Sequence, residues 1–223
     1  MVIKRTKNMI NKATKIIISG SVIIVTVLGV GLYTNTIKLP IEREIRPQYV
    51  ANFNDDRVLM GASHNVFVGK VIREVGARDA EVGPETQFEV EVVLNVKGDL
   101  QGTVVVNQLG GYRNGILYTV VNEGDVVVAG TDDKNSLLQP GFTYLFATRY
   151  NDDKNWYTLN SHPNAMKLIS QDKGVAIEQL RELAVDDEKI RKLQNAYKSE
   201  VLLDDDIRAN NTRNSYRSLN ENR

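Results

Sequence analysis

The segment Thr86–Val96, with the sequence TQFEVEVVLNV, decides the fold. Apolar and polar residues alternate along it, and a period of two residues is typical of a β-strand with one buried and one wet face. The predicted buried face consists of Phe88, Val90, Val92 and Leu94. Similar patterns lie on both sides of this segment, so the sequence indicates a mainly β protein.

Upstream, Asn65–Val75 (NVFVGKVIREV) predicts a long strand, and Gly69 in its middle indicates a bulge or bend. Downstream, turn residues separate short apolar runs that predict further strands. These runs are Thr103–Asn107, Gly115–Val121, Asp125–Ala129, Thr143–Thr148 and Trp156–Leu159. Short strands at this spacing favour a small barrel or a sandwich, which we place at residues 58–170.

After Gly174 the apolar residues recur every three or four positions, which predicts an amphipathic helical region within residues 171–203. Val185–Asp187 is the place where this helix would break. We expect it to cap the chain's own barrel, because an apolar stripe needs the nearest apolar surface; pairing with a partner helix is the alternative. The polar residues 204–223 are predicted to be a disordered tail.

An uncharged apolar run precedes the β-rich part. Ile16–Tyr33 has eighteen residues, and such a helix would be about 27 Å long, close to the roughly 30 Å of a bilayer core. Residues 1–15 contain five basic residues and no acidic one, which predicts that they are cytoplasmic. We therefore predict a single-pass transmembrane anchor at residues 16–33, with most of the chain extracellular. A cleaved signal peptide is the alternative.

Residues 34–57 contain Pro40 and Pro47 with mixed charges and little periodicity, so they are predicted to be a stalk.

The composition excludes several kinds of site. The chain has no cysteine, which excludes disulfides, thiolate metal sites and cysteine nucleophiles, and favours a bacterial surface protein. Residues 16–223 carry 23 basic and 28 acidic side chains. This acidic balance argues against nucleic-acid binding, which needs a basic stripe.

Two histidines are candidates for catalysis, but they lie far apart in the sequence. Neither Ser63, next to His64, nor Ser161, next to His162, lies in a nucleophile elbow. We therefore predict that the chain is not an enzyme and has no cofactor.

Two pairs of aspartates are the candidates for a metal site. Asp132-Asp133 and Asp152-Asp153 could supply clustered oxygens to calcium. Neither segment matches a known calcium loop, and solvated aspartates in turns are the stronger interpretation. The sequence therefore predicts no metal site.

Aromatic residues are candidates for ligand binding. Tyr112 and Tyr118 lie in the least regular segment, where exposure would make them a possible ligand surface; packing in the core or in turns is the favoured interpretation. Alternation predicts that Tyr144 and Phe146 share one face, with Phe142 beside them.

Several segments together resemble the TIMP-like, or netrin-module (NTR), OB-fold family. They are VFVGKV (66–71), FEVEVVLNVKG (88–98), Gly102–Asn107, Gly110-Gly111 and LQPGFTYLF (138–146). The likeness covers residues 58–170 and implies an OB-like barrel of five to six strands, here with a C-terminal amphipathic helix and one preceding transmembrane helix. Animal metalloprotease inhibitors of this family chelate zinc through an N-terminal cysteine. This chain has no cysteine, so that mechanism is excluded.

The functional hypothesis is a membrane-anchored extracytoplasmic module that binds a protein or a cell-wall component without catalysis. A secreted inhibitor or regulator of an extracellular enzyme, working through loops and not through a cysteine, is the alternative. A hydrolase built on this fold is a third hypothesis.

Overall fold

The strands and helices run through three described ranges of the computed structural model, residues 41–80, 82–121 and 137–203. The strands are β1 (Ile41–Ile45), β2 (Asn65–Asp79), β3 (Pro84–Lys97), β4 (Thr103–Leu109), β5 (Gly111–Arg113), β6 (Ile116–Val120), β7 (Thr143–Asn151), β8 (Trp156–Leu159) and β9 (Met166–Ser170). The helices are α1 (Asp56–Ala62), α2 (Ile177–Asp186) and α3 (Glu188–Tyr197), with a single 3-10 turn at Pro163–Ala165.

Several predicted features lie outside the described residues. They are the cytoplasmic segment 1–15, the membrane anchor at residues 16–33, the first part of the stalk, the strand Asp125–Ala129, the pair Asp132-Asp133 and the tail at residues 204–223. In the described ranges, every helix is too short or too polar to cross a membrane.

Five strands form a closed hydrogen-bonded ring in the order β2-β3-β4-β8-β7, and the pairing of β7 with β2 closes it. The pairing of β4 with β8 is parallel, through Val106–Tyr157 and Asn107–Thr158. The other pairings in the ring are antiparallel. Strand β9 adds to β7 outside the ring. The prediction of a mainly β fold is confirmed.

A second sheet has the order β1-β6-β5 and contains part of the predicted stalk. The parallel pairing of β1 with β6 packs Ile45 against Val82 and Tyr118. Phe53, which is 3% exposed, packs in the core cluster that lies beneath the helices. Residues 41–57 therefore lie in the same compact unit as the residues that follow them. The sequence pattern missed this because these isolated apolar residues find partners far away in the chain.

One core cluster receives side chains from all five ring strands, so it lies inside the ring. The predicted shared face of the β7 aromatics is confirmed. The ring centroids of Tyr144 and Phe146 are 5.9 Å apart, and those of Phe142 and Tyr144 are 6.4 Å apart. Leu145 and Ala147 point the other way, as a period of two requires, and enter a second cluster beneath the helices.

Register shifts interrupt the pairing of β2 with β3, and each one leaves a residue without a partner. On β3 the extra residues are Val93 and Val96, which are buried beneath the helices. On β2 they are Ile72 and Val75, which are exposed. The bulges thus direct the side chains of one strand toward the helices and bend the long β2–β3 hairpin.

The prediction of a bulge or bend at Gly69 is met by a register shift between Val68 and Gly69, but the extra residue, Val93, lies on β3 and not on the strand of Gly69. A Cβ at Gly69 would lie 2.4 Å from Cγ1 of Val90, so the strands can approach this closely only at a glycine. The prediction that Leu94 continues the inward face of β3 is wrong. The extra residue Val93 shifts the alternation, and Leu94 packs against the second cluster.

Helices α1, α2 and α3 cover the outside of the ring. The buried residues of α2 and α3 are Leu180, Ala184, Ile190, Leu193 and Ala196. They share a cluster with Leu59 and Met60 of α1 and with outward residues of β2 and β7. The predicted helical region is confirmed, its break lies at Asp187, and the helices pack on the chain's own strands as predicted.

Asp187 ends α2 and caps α3. Its Oδ1 accepts hydrogen bonds from the backbone N–H groups of Lys189 at 2.9 Å and Ile190 at 3.2 Å. Its Oδ2 lies 2.6 Å from Nζ of Lys167. Burial by itself raises the pKa of Asp187, but the hydrogen bonds from Lys167 and the two amides outweigh burial and lower it.

We expect Asp187→Ala to lower the free energy of unfolding by about 1 kcal/mol at pH 7. Because the folded-state pKa is depressed, this stabilisation is present above the unfolded pKa of about 3.9 and is lost as the pH falls through the folded value. Urea denaturation at pH 7 and at about pH 3 measures the difference from wild type, which should shrink at the lower pH. Asp186→Ala, at the exposed neighbouring position, is the control. An equal difference at both pH values would contradict the prediction.

Candidate functional site

A pocket of about 180 Å³ opens where the β2–β3 and β7–β8 hairpins meet the segment 47–53. It lies on the outer face of the ring. Along β3, Glu85 alternates with the inward-pointing Phe88, and along β8, Thr158 alternates with the inward-pointing Leu159. The pocket therefore lies mainly outside the apolar core that fills the ring, and Leu159 borders both.

A buried carboxylate forms part of the pocket wall. Glu85 is 2% exposed, and its Oε2 accepts hydrogen bonds from Nε of Arg78 at 2.6 Å and from Nδ2 of Asn107. Arg78 and Glu85 face each other across the β2–β3 pairing, so the ion pair follows directly from the strand register. A buried carboxylate that loses its cation is strongly destabilising, so Glu85 and Arg78 hold each other in place.

The single tryptophan of the chain holds the other side of Arg78. The guanidinium carbon of Arg78 lies 4.7 Å from the centroid of the Trp156 ring, which is a cation–π contact. The side chain of Arg78 is 35% exposed, so a ligand can still reach it. A guanidinium fixed between a carboxylate and an aromatic face needs little ordering when a ligand binds.

The described residues that line the pocket carry a charge opposite in sign to that of residues 16–223 as a whole. Among the described residues that line the pocket, Arg78 and Arg149 are cationic and Glu85 is anionic. Residues 16–223 carry 23 basic and 28 acidic side chains. A local excess of positive charge on an acidic chain favours an anionic group in the pocket.

Tyrosines hold the flanks of the pocket. The rings of Tyr150 and Tyr157 lie 4.9 Å apart, and the Tyr150 hydroxyl donates to Oδ1 of Asn155 at 2.8 Å. The Tyr49 hydroxyl donates to the carbonyl oxygen of Ser161 at 2.9 Å. These contacts fix the β7–β8 hairpin and the segment 47–53, so the walls of the pocket are formed before any ligand arrives.

The two histidines bind backbone groups. Nδ1 of His64 accepts a hydrogen bond from the N–H of Tyr150 at 3.0 Å, and Nδ1 of His162 accepts one from the N–H of Asn164 at 3.1 Å. Burial, and then the charge of Lys189, lower the pKa of His162. A proton on either Nδ1 would break its backbone bond, so these contacts give both histidines a structural role.

The aspartates considered for calcium are split between described and undescribed parts of the chain. Asp152 and Asp153 are exposed in the β7–β8 turn, and Asp132 and Asp133 lie outside the described residues. In the described ranges, His, Asp and Glu side chains form no group of three or more that could hold a metal ion.

The structure separates the two tyrosines that the sequence offers as a possible ligand surface. Tyr112 is 58% exposed, as a ligand surface requires. Tyr118 is 9% exposed, and Nη2 of Arg113 donates to its hydroxyl at 3.3 Å. This hydrogen bond lowers the pKa of Tyr118. Tyr118 is therefore a packing residue of the second sheet, and neither tyrosine lines the pocket.

Sequence reasoning missed the pocket because Arg78, Glu85 and Trp156 belong to different strands and each is ordinary in its own segment. The available signals were the single tryptophan and the placement of Arg78 and Glu85 on either side of the Gly83-Pro84 turn.

A scan of the chain against models of protein families gives no match, and a search of curated proteins gives none. The functional inference therefore rests on the contacts of these residues.

Proposed function

We propose that the chain is a membrane-anchored extracytoplasmic binding module with an OB-like barrel of the TIMP/NTR type, which binds a protein or a cell-wall component. The observation that carries this proposal is the pocket, in which Arg78 lies between Glu85 and Trp156. The rest of the support comes from the strand order, the place of the pocket in the ring and the sequence of the N-terminal segment.

The strand order supports the OB-like assignment. In chain order the five ring strands are β2, β3, β4, β7 and β8. Around the ring, the first strand pairs with the second, the second with the third, the third with the fifth, the fifth with the fourth, and the fourth with the first. The third and fifth strands are parallel. A Greek-key ring of five strands with this order is the arrangement expected of an OB fold.

The position of the pocket supports a binding role for that fold. OB folds bind ligands beside their second and third strands, between the loop that joins strands one and two and the loop that joins strands four and five. Here these are the β2–β3 and β7–β8 loops. Arg78 and Glu85 flank the first loop and Trp156 directly follows the second, and all three residues line the pocket.

The chemistry of the pocket favours binding over catalysis. A general base needs a carboxylate or imidazole within hydrogen-bonding reach of a substrate proton. The Oε2 atom of Glu85 already accepts two side-chain donors, and Nδ1 of each histidine accepts a backbone N–H. These groups therefore stabilise the walls of the site.

The test compares three forms of the full chain, each with a C-terminal tag: wild type, Trp156→Ala and Tyr112→Ala. Each is expressed in a bacterial host, crosslinked, and purified together with cell-wall material and surface proteins. We expect Trp156→Ala to lower the captured amount of the wild-type partner at least about tenfold, because aromatic residues that line a binding pocket dominate binding energies. Tyr112→Ala, at an exposed aromatic outside the pocket, should leave capture unchanged.

The same experiment reports on the membrane anchor, and circular dichroism checks that each variant is folded. An intact N-terminus in the membrane fraction supports the anchored module, whereas a soluble product that begins near Leu32 supports the secreted regulator. Equal capture by wild type and Trp156→Ala would overturn the role of the pocket. Loss of capture in Tyr112→Ala alone would favour the surface predicted from the sequence.

A further inference from the structure

We infer that the pocket recognises the carboxylate of an acidic peptide segment through the terminal amino groups of Arg78. This inference rests on the proposed function, because it names the ligand class of the same pocket. It follows from the hydrogen bonds of Arg78, the ring contact of Trp156, the size of the pocket and its charge.

We assign the recognition of the ligand to the two terminal amino groups of the Arg78 guanidinium. Among the described residues, the hydrogen bond of Arg78 to Glu85 uses Nε. A guanidinium carries five N–H donors, so the two terminal amino groups remain as a planar fork. Such a fork matches the two oxygens of a carboxylate or a phosphate.

The contact with Trp156 favours recognition of charge over stacking. The guanidinium lies over one face of the indole, 4.7 Å from its centroid. A sugar ring or a base that binds by stacking needs such a face, and Arg78 occupies this one of the two faces. Trp156 therefore acts as a positioning residue for the guanidinium.

The size of the pocket and the charge of its described lining residues restrict the class of ligand further. A cavity of about 150 Å³ holds a benzene-sized molecule, so the 180 Å³ pocket admits one side chain and excludes a run of sugar rings. Among the described residues of the lining, the cationic Arg78 and Arg149 outnumber the anionic Glu85 by one charge. A difference of one charge matches a carboxylate better than a phosphate, which carries about two negative charges near neutral pH.

Trp156 is the only tryptophan of the chain, so its fluorescence reports directly on the pocket. The full chain in detergent micelles is titrated with the peptide acetyl-Gly-Glu-Gly-amide, with its Gln counterpart, and with glucuronate. We expect the Glu peptide to change the emission saturably and the Gln peptide to bind at least tenfold more weakly. Glucuronate, which carries the same charge on a sugar, should also bind more weakly than the Glu peptide.

Variants assign the effect to the guanidinium. Arg78→Lys keeps a cation beside Glu85 but loses the fork, and it should weaken binding of the Glu peptide at least tenfold. Arg149→Gln removes the second cation among the described residues of the lining, and it should weaken binding severalfold. Arg73→Gln is the matched control, because Arg73 lies on the same strand and pairs with Glu89 at the surface.

Equal binding of the Glu and Gln peptides, or stronger binding of glucuronate, would overturn the ligand class. So would an unchanged emission throughout the titration of folded protein, or a response that Arg78→Lys leaves intact. None of these results decides the proposed function, which is tested separately by the capture of a partner by wild type and Trp156→Ala.

Discussion

Replacing Phe146 by alanine should lower the free energy of unfolding by about 3–5 kcal/mol. Phe146 is fully buried inside the ring, where its ring centroid lies 5.3 Å from that of Phe67 and 5.9 Å from that of Tyr144. Its strand β7 pairs with β2, β8 and β9, so little backbone movement is available to fill the space left by the ring. A loss of this size is a large part of the free energy of unfolding of a typical protein, which is about 5–15 kcal/mol.

Denaturation in urea, followed by circular dichroism, measures this change. The control is Tyr112→Ala, which removes an aromatic ring that is 58% exposed and should change stability by no more than about 0.5 kcal/mol. A loss below about 1 kcal/mol for Phe146→Ala would mean that the core collapses around the gap, and it would contradict a tightly packed ring interior.

A methyl group at Gly61 should be nearly as damaging. A Cβ added there would lie 1.9 Å from the carbonyl oxygen of Val201 and 2.5 Å from its carbonyl carbon. Both atoms are backbone, so they cannot move aside as the end of a flexible side chain could. The segment that contains Val201 would have to leave α1, and the bond from the Val201 N–H to the carbonyl of Arg57, now 3.0 Å, would break.

The contact at Gly61 is reinforced by ion pairing. Nζ of Lys97 donates to the carbonyl oxygen of Met60 at 2.8 Å and pairs with the carboxylate of Glu200. The side chain of Lys97 is 13% exposed and that of Glu200 is 23% exposed, so separating them would leave a half-buried charge without its partner. The residues after α3 and helix α1 therefore stabilise each other.

We expect Gly61→Ala to cost about 2–3 kcal/mol, in the range of an overpacked core site. Urea denaturation gives the loss, and hydrogen exchange should show faster exchange at Val201. The matched control is Gly174→Ala, because a Cβ there would meet its nearest atom, Oδ1 of Asp172, at an ordinary 3.5 Å. If the two variants were equally stable, the close packing of Val201 on α1 would be refuted.

Much of the fold could be predicted because the relevant signals are local. The alternation in Thr86–Val96 and Thr143–Thr148 predicted strands β3 and β7, and a three- to four-residue period predicted α2 and α3. Trp156–Leu159 was predicted with the same limits that β8 has. Strands β1, β5 and β9 and helix α1 were missed. All four are short, and β1, β9 and α1 pack against residues distant in the sequence.

The candidate site could not be predicted in the same way. Tyr118 lies in an irregular segment of the sequence, where an exposed aromatic residue is plausible. The pairing of β1 with β6 nevertheless buries it against Ile45. Trp156 and Arg78 are 78 positions apart, and only the ring brings them into contact. Their contact depends on strand register, which is set by bulges between β2 and β3 that local patterns reveal at Gly69 alone.

By itself the sequence determined that the protein is mainly β, that β3 has one apolar face over Phe88–Val92, and that a broken helical region follows. Periodicity suffices for these features because backbone geometry alone sets which side chains share a face. The tertiary structure decided that β7 closes on β2, that residues 41–57 join the folded unit, and that Glu85, Arg78 and Trp156 form one pocket. These features depend on contacts between distant segments, whose register and burial are set when the whole chain packs.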